Sequence, residues 1–155
     1  MNFSVLICDD HAILVEGLKV CLQRISGISK VWISNTMREA MKILDAHPGI
    51  DLCIVDLDLP DGSGVDLIGY AKECNPDMRT MVYTSHEEIW NINAVMHSGT
   101  DGVVFKSGEP KELRSAVECI MHGDTYFCNR FQQLVRHIEM HIPCLLYTSP
   151  SPRDQ

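Results

Sequence analysis

The chain has 155 residues, of which 22% are charged, and a formal net charge of −8. This length suits one domain with a short tail. The net negative charge is unlike that of nucleic-acid-binding domains, which carry basic surfaces. No apolar run approaches the roughly 20 residues of a membrane span. The first residues show no basic segment or cleavage site of a signal peptide, so we expect a cytoplasmic protein without membrane contact.

Apolar segments alternate with segments of helical periodicity along most of the chain, and Gly or Pro punctuates several of the boundaries. The five predicted strands cover residues 4–8, 30–33, 50–55, 80–83 and 102–105, and the five predicted helices cover residues 11–25, 36–46, 65–74, 87–97 and 110–122. Thr36, followed by Glu39, predicts a capping box at the start of the second helix. Strict alternation predicts an α/β fold with a doubly wound parallel sheet and helices on both faces.

Seven cysteines are spread along the chain without a CxxC pair. Four of them, Cys8, Cys21, Cys53 and Cys119, fall on predicted apolar faces. Reduced thiols that pack as small hydrophobic groups explain this pattern better than disulfides do.

Polar residues follow four of the five predicted strands. They are Asp9 with Asp10, Asp56, Thr84 and Lys106. Each is ordinary by itself, since aspartate often caps helices, threonine favours strands and lysine is usually solvated. However, the carboxyl ends of parallel strands share one edge of the sheet, where open α/β sheets place their ligands. We therefore expect these residues to converge.

Together these groups predict a site for phosphoryl transfer. Three adjacent carboxylates repel one another, so they raise a pKa or recruit a cation. Oxygen ligands beside a phosphate suit Mg²⁺, which can bridge a carboxylate and a phosphoryl group. Lys106 supplies a point charge, Thr84 supplies a hydroxyl donor, and Asp56 can act as a carboxylate nucleophile that forms an aspartyl phosphate.

Several segments carry a family resemblance over about residues 3 to 127. They are Cys8-Asp9-Asp10-His11 with Glu16-Gly17-Leu18 downstream, Asp56-Leu57-Asp58-Leu59-Pro60-Asp61-Gly62-Ser63-Gly64, Thr84-Ser85-His86, and Gly102-Val103-Val104-Phe105-Lys106. With this spacing the chain resembles the receiver domain of bacterial two-component response regulators of the NarL/FixJ (LuxR-type) class. The resemblance implies a flavodoxin-like (CheY-like) fold, with a five-stranded parallel sheet in the order 2-1-3-4-5.

The resemblance also implies a role for each carboxylate of the site. Asp56 is expected to be the phosphoacceptor, which takes a phosphoryl group from a phosphohistidine of a sensor histidine kinase. Asp10, Asp56 and the backbone carbonyl of Asp58 are expected to bind Mg²⁺ directly, and Asp9 is expected to act through water. Such a domain is not an enzyme, since it shows at most slow self-dephosphorylation.

The remaining expectations concern signalling. Lys106 should contact both the phosphoryl group and Asp56, and Thr84 should move toward the phosphoryl oxygen. The surface of the fourth helix, fifth strand and fifth helix should then change shape. The resemblance allows a homodimer through that surface or through the first and fifth helices. It also implies transcription regulation, with DNA bound only by an output domain absent from this chain.

Two positions depart from the usual receiver pattern. Val103 stands where many receivers have an aromatic side chain that changes rotamer with the threonine, so we expect altered coupling from Thr84 to the output surface; whether Phe105 or Tyr83 substitutes is left open. Ser107 stands where many receivers have a proline after the lysine, often on a cis bond. A cis bond before a residue other than proline costs about 2.5 to 4 kcal/mol, so we expect a trans bond here.

We expect three regions along the chain: a receiver domain at 1–123, the start of an interdomain linker and helix at 124–143, and a non-native tail at 144–155. A helix-turn-helix domain would normally follow the second region. Residues Cys144 to Asp154 instead resemble a translated sequencing adapter, and we exclude them from fold reasoning.

Two other functions remain as alternatives. A receiver-like module could act by contact alone, without phosphorylation, and Val103 leaves room for this. The Asp56-Leu57-Asp58 segment also resembles the nucleophile motif of haloacid-dehalogenase-like phosphatases. In that family, however, the motif lies near the start of the domain, and Asp9-Asp10 would have no role.

Overall fold

The structure is a computed structural model that describes residues 2–141. Its helices are α1 (Ala12–Gln23), α2 (Met37–Ala46), α3 (Gly64–Cys74), α4 (Ile89–Met96), α5 (Pro110–Met121) and α6 (Asn129–His141). Its strands are β1 (Phe3–Cys8), β2 (Ile28–Ser34), β3 (Leu52–Val55), β4 (Asp58–Leu59), β5 (Gly62–Ser63), β6 (Arg79–Thr84), β7 (Gly102–Phe105) and β8 (Tyr126–Phe127). The adapter-like segment lies outside the described residues.

The main sheet is parallel, with the strand order β2-β1-β3-β6-β7-β8. Its first five positions are the five predicted strands in the predicted order 2-1-3-4-5, so the fold class is confirmed. The sheet has six strands rather than five because β8 pairs with Gly102 and Val103 of β7. A strand of two residues is too short to show an alternating pattern in the sequence.

Both faces of the sheet are covered by helices. On one side, α1 and α5 pack on side chains such as Val5, Ile7 and Ile54. On the other side, α2, α3, α4 and α6 pack on side chains such as Leu6 and Val55. All four residues of β3 are buried, because a central strand of a doubly wound sheet contacts helices on both faces.

The predicted N-cap at Thr36 is present, but the return bond from Glu39 reaches Asn35 rather than the N–H of Thr36 as in a capping box. Thr36 Oγ1 accepts a hydrogen bond from the backbone N–H of Glu39 at 3.1 Å, and Glu39 Oε1 accepts one from the N–H of Asn35 at 2.9 Å. These bonds satisfy donors that have no partner inside the helix.

A small antiparallel hairpin, β4–β5, replaces the loop that we predicted after Asp56. It places Asp61 against the first turn of α2. There its carboxylate accepts hydrogen bonds from the N–H groups of Met37 at 2.7 Å and Arg38 at 2.9 Å. These two bonds hold the pKa of Asp61 below its ordinary value.

An Asp61→Asn variant is therefore expected to be less stable than the unsubstituted protein at neutral pH. Because the folded-state pKa is lowered, the contribution of Asp61 is present above the ordinary aspartate pKa and is lost as the pH falls through the lowered value. The difference in the midpoint of urea unfolding should thus be large at pH 7 and should shrink in acid. Asp77→Asn is the control, because it removes the same charge from an exposed side chain. If both substitutions shifted the unfolding midpoint equally, the capping role of Asp61 would be contradicted.

Helix α6 packs on α4 and on β7. The ring of Phe131 stacks on that of Phe127 with 5.7 Å between centroids and lies 6.5 Å from the ring of Phe105. An ion pair between Arg130 Nε and Glu87 Oε1, at 2.9 Å, joins α6 to the segment before α4. The C-terminal helix is therefore part of the packed body in this structure.

The six cysteines in the described part of the chain are free. Cys8 and Cys53 are buried as predicted, and burial raises the pKa of the Cys8 thiol to about 11. The prediction for Cys21 is wrong, since this side chain is exposed on α1 between the core-facing Leu18 and Leu22. None of the helices in the described range has the length and apolar character needed to cross a bilayer.

Candidate functional site

The carboxyl ends of β1, β3 and β7 bring Asp9, Asp56 and Lys106 together. Cys8 at the end of β1 pairs with Val55 at the end of β3, so the aspartates that follow them are neighbours. Lys106 follows β7, and its ammonium reaches both carboxylates. Lys106 Nζ lies 2.8 Å from Asp9 Oδ2 and donates a hydrogen bond to Asp56 Oδ2 at 3.1 Å.

Lys106 is the cation that balances this buried pair of carboxylates. Asp9 and Asp56 are each only 2% exposed. Burial by itself would lower the pKa of Lys106, but hydrogen bonds and attraction from Asp9 and Asp56 outweigh it and raise the pKa above the ordinary lysine value. The side chain is therefore a charged ammonium at neutral pH.

The other oxygen of Asp56 is unsatisfied. Asp56 Oδ1 is buried and has no hydrogen-bond partner among the described residues. A buried acceptor without a partner costs free energy unless a ligand satisfies it. Carboxylate oxygens of Asp9, Asp10 and Asp56 lie within 4.8 Å of one another, which fits the oxygen ligands that Mg²⁺ prefers.

His11 also lies in this cluster, although no role was predicted for it. Its Nδ1 is 2.8 Å from Asp9 Oδ1, 3.5 Å from Asp10 Oδ1 and 3.7 Å from Asp56 Oδ2. Its backbone N–H also donates to Asp9 Oδ1 at 2.9 Å, and this turn directs the imidazole back over the carboxylates. The sequence signal for this contact was the position of His11 directly after Asp9 and Asp10.

Thr84 and the side chain of Asp58 lie outside this network of contacts. Thr84 is fully buried, and its Oγ1 accepts a hydrogen bond from the N–H of His86 at 3.2 Å. Within residues 2–141 the Thr84 hydroxyl has no hydrogen bond to Asp56 or Lys106, although the backbone N–H of Lys106 donates to the Thr84 carbonyl oxygen at 2.8 Å. The Asp58 side chain is 74% exposed and lies 3.6 Å from His86 Nε2, whereas the prediction for this residue concerned its backbone carbonyl.

Gly64 is required by the close approach of α3 to the backbone of Asp56. A Cβ atom at Gly64 would lie 2.2 Å from the carbonyl oxygen of Asp56 and 3.1 Å from Cα of Leu57. The N–H of Gly64 donates to the carbonyl of Leu57 at 3.0 Å. The start of α3 thus holds the segment that carries Asp56.

The two aromatic residues near Val103 lie on opposite faces of the sheet. Val103 and Phe105 are buried on the face covered by α4 and α6. Tyr83 lies on the other face, and its ring centroid is 5.8 Å from Lys106 Nζ. No peptide bond is cis within residues 2–141, so the bond before Ser107 is trans, as predicted.

Comparison with known proteins agrees with this fold. Residues 5–118 match the family described as the response regulator receiver domain. The transcriptional regulatory protein RcsB of Escherichia coli (strain K12) is 29% identical over 143 residues, which cover 88% of this chain and 64% of RcsB. The chain therefore spans less than two thirds of the length of that relative.

Two solved structures extend the comparison. The isolated receiver domain of RcsB from Salmonella enterica serovar Typhimurium, solved in the presence of the phosphomimetic BeF3−, has a TM-score of 0.77 and 27% identity, covering 86% of this chain and 99% of that one. A LuxR-family response regulator from Aurantimonas sp. SI85-9A1 has a TM-score of 0.82 and 23% identity, covering 91% of this chain and 100% of that one; it supports the fold alone. By its match over 5–118, its fold and its relatives, the chain belongs to the response regulator receiver domain family of two-component systems.

Proposed function

We propose that this domain is a phosphorylation switch in which Asp56 accepts a phosphoryl group from a sensor histidine kinase. The observation that carries the proposal is the state of the Asp56 carboxylate at the end of the central strand. One oxygen accepts a hydrogen bond from Lys106, and the other is buried without a hydrogen-bond partner in residues 2–141. A carboxylate that is held in place by one oxygen, while its other oxygen makes no hydrogen bond, is suited to nucleophilic attack.

In this reaction an Asp56 oxygen attacks the phosphorus of a phosphohistidine on the kinase. A P–O bond forms while the P–N bond breaks, and the imidazole leaves with the electron pair and takes up a proton. Lys106 neutralises negative charge that gathers beside Asp56. Asp10, Asp56 and the carbonyl of Asp58 would hold Mg²⁺ directly and Asp9 would act through water, and the bound cation would supply further charge neutralisation at the phosphoryl group.

Thr84 would report the modification by exchanging hydrogen-bond partners. Its Oγ1 now accepts from the N–H of His86, and turning toward a phosphoryl oxygen would release that bond. Because Thr84 pairs in register with Phe105, such a change begins beside the strand that contacts α6. The phosphorylated state would be favoured by population shift rather than by a new fold.

We further propose that the switch regulates transcription through an output domain outside this chain, which would be the part that binds DNA. The name of the relative RcsB, a transcriptional regulatory protein, and a solved complex of two RcsB dimers with DNA support this. Residues 1–123 would form the receiver, and 124–143 would begin the connection to the output domain.

The intact mass of the protein after incubation with acetyl phosphate and Mg²⁺ tests the proposal. We expect one phosphoryl group on the unsubstituted protein, lost in base, and none on Asp56→Asn. Asp58→Asn is the matched control, because it makes the same change on an exposed side chain and leaves the backbone carbonyl in place. Absence of an adduct on folded protein would contradict the proposal and favour a module that acts by contact alone. An equal adduct on Asp56→Asn would contradict the assignment of Asp56 as the phosphoacceptor.

A further inference from the structure

We propose that the imidazole of His11 is a ligand of the divalent cation at this site and that it makes the site favour Mn²⁺ over Mg²⁺. The inference rests on the proposed cation site, and it adds a nitrogen donor and a metal preference to it. Two independent observations point to a ligand here. The Nδ1 atom of His11 lies among three carboxylates, and the 98%-buried Asp56 has an oxygen without a partner in the described chain.

The distances fit shared coordination. Two donors that bind one octahedral cation at about 2.1 Å lie about 3.0 Å apart when adjacent and about 4.2 Å apart when opposite. His11 Nδ1 is 3.5 Å from Asp10 Oδ1 and 3.7 Å from Asp56 Oδ2, which is between these two separations. Small side-chain rotations would therefore bring the nitrogen and both oxygens onto one cation.

The hydrogen bonding of Nδ1 depends on which ring nitrogen of His11 carries the proton. Nδ1 lies 2.8 Å from Asp9 Oδ1, an acceptor, and 3.3 Å from Lys106 Nζ, a donor. A neutral imidazole nitrogen either donates or accepts, so it cannot satisfy both neighbours. With the proton on Nδ1, the ring donates to Asp9 Oδ1; with the proton on Nε2, the lone pair of Nδ1 is available to bind a cation held among these oxygens.

The chemistry of the donor set gives the metal preference. Carboxylate, carbonyl and water oxygens suit Mg²⁺, whereas imidazole adds affinity for first-row transition metals. His11 should therefore contribute little to the binding of Mg²⁺ and more to the binding of Mn²⁺. The ring is 60% exposed, so the Nε2 edge faces solvent while Nδ1 faces the cluster.

Alanine at position 11 removes the nitrogen with little expected effect on the helix, because the His11 side chain makes no capping hydrogen bond to α1. His86→Ala is the matched control, since His86 lies beside Asp58 and outside the four-residue cluster. Free Mn²⁺ measured by electron paramagnetic resonance gives the Mn²⁺ affinity, and competition gives that of Mg²⁺. Pulsed resonance of bound Mn²⁺ detects a coordinated nitrogen directly.

We expect a nitrogen coupling on Mn²⁺ in the unsubstituted protein and in His86→Ala, and none in His11→Ala. Mn²⁺ affinity should fall about tenfold or more in His11→Ala, as for loss of a metal-site partner, with a much smaller change for Mg²⁺. Absence of the coupling in the unsubstituted protein, or equal losses for both cations, would overturn the inference while leaving the Mg²⁺ site intact. Failure of the unsubstituted protein to bind either cation would instead reject the proposed site itself.

Discussion

Gly64→Ala is expected to lower the free energy of unfolding by about 3 kcal/mol, at the upper end of ordinary overpacking effects. The added Cβ would lie 2.2 Å from the carbonyl oxygen and 3.0 Å from the carbonyl carbon of Asp56. Both are backbone atoms at the end of the central strand, and they cannot move away from the added Cβ as the end of a flexible side chain could. Urea unfolding followed by circular dichroism measures the loss, and the yield of phosphorylated protein should fall with it because Asp56 is displaced.

Gly69→Ala is the matched control for this change. It makes the same substitution in the same helix, where a Cβ would meet no atom within 4 Å. Alanine in a helix interior is favoured over glycine, so this variant should gain roughly 0.5–1 kcal/mol. If both variants were equally stable, the close approach of Gly64 to the Asp56 backbone would not require glycine at position 64.

Lys106→Met is expected to cost about 3 kcal/mol at neutral pH in the absence of divalent cations. The ammonium of Lys106 is the cation closest to Asp9 and Asp56, whose side chains are 3% and 2% exposed. Methionine fills similar space, but it leaves the two buried carboxylates beside each other without the ammonium group. Lys111→Met is the control, because Lys111 is 83% exposed and its ion pair with Glu109 is long, at 3.6 Å; it should change stability by less than about 0.5 kcal/mol.

The pH dependence separates this electrostatic effect from packing. The folded-state pKa of Lys106 is raised, so its contribution is fully present below the ordinary lysine pKa and is lost as the pH rises through the raised value. The difference between the unsubstituted protein and Lys106→Met should therefore persist from neutral pH to that point and decline above it. A difference that is constant through strong alkali would indicate lost packing instead.

Much of the fold could be predicted because local and long-range signals agree along this chain. The short apolar run that ends at Val55, bounded by Pro48-Gly49 and Pro60, indicates a buried strand. The Thr36–Glu39 pair marks a helix start by local hydrogen bonding alone. The alternation of strands and helices then leaves few topologies. Since the strands are parallel, the meeting of Asp9, Asp56 and Lys106 followed from their positions at the strand ends.

Other features depend on contacts that no local pattern encodes. Strand β8 exists because β7 offers an edge for it, and Asp61 caps a helix that begins 24 residues earlier in the chain. The need for glycine at position 64 arises from the backbone of Asp56, which only the folded structure brings near. The orientation of His11 likewise depends on the turn that its own N–H makes with Asp9.

The placement of β8 and α6 has a consequence for self-association. These elements extend the sheet beyond β7 and cover part of α4, and they bury Phe131 and Ile138. A second molecule that binds through α4, β7 and α5 would have to displace α6. Helix α6 therefore competes with dimerisation for that surface. Helices α1 and α5 pack on the opposite face of the sheet, and an interface built from them would leave α6 where it is.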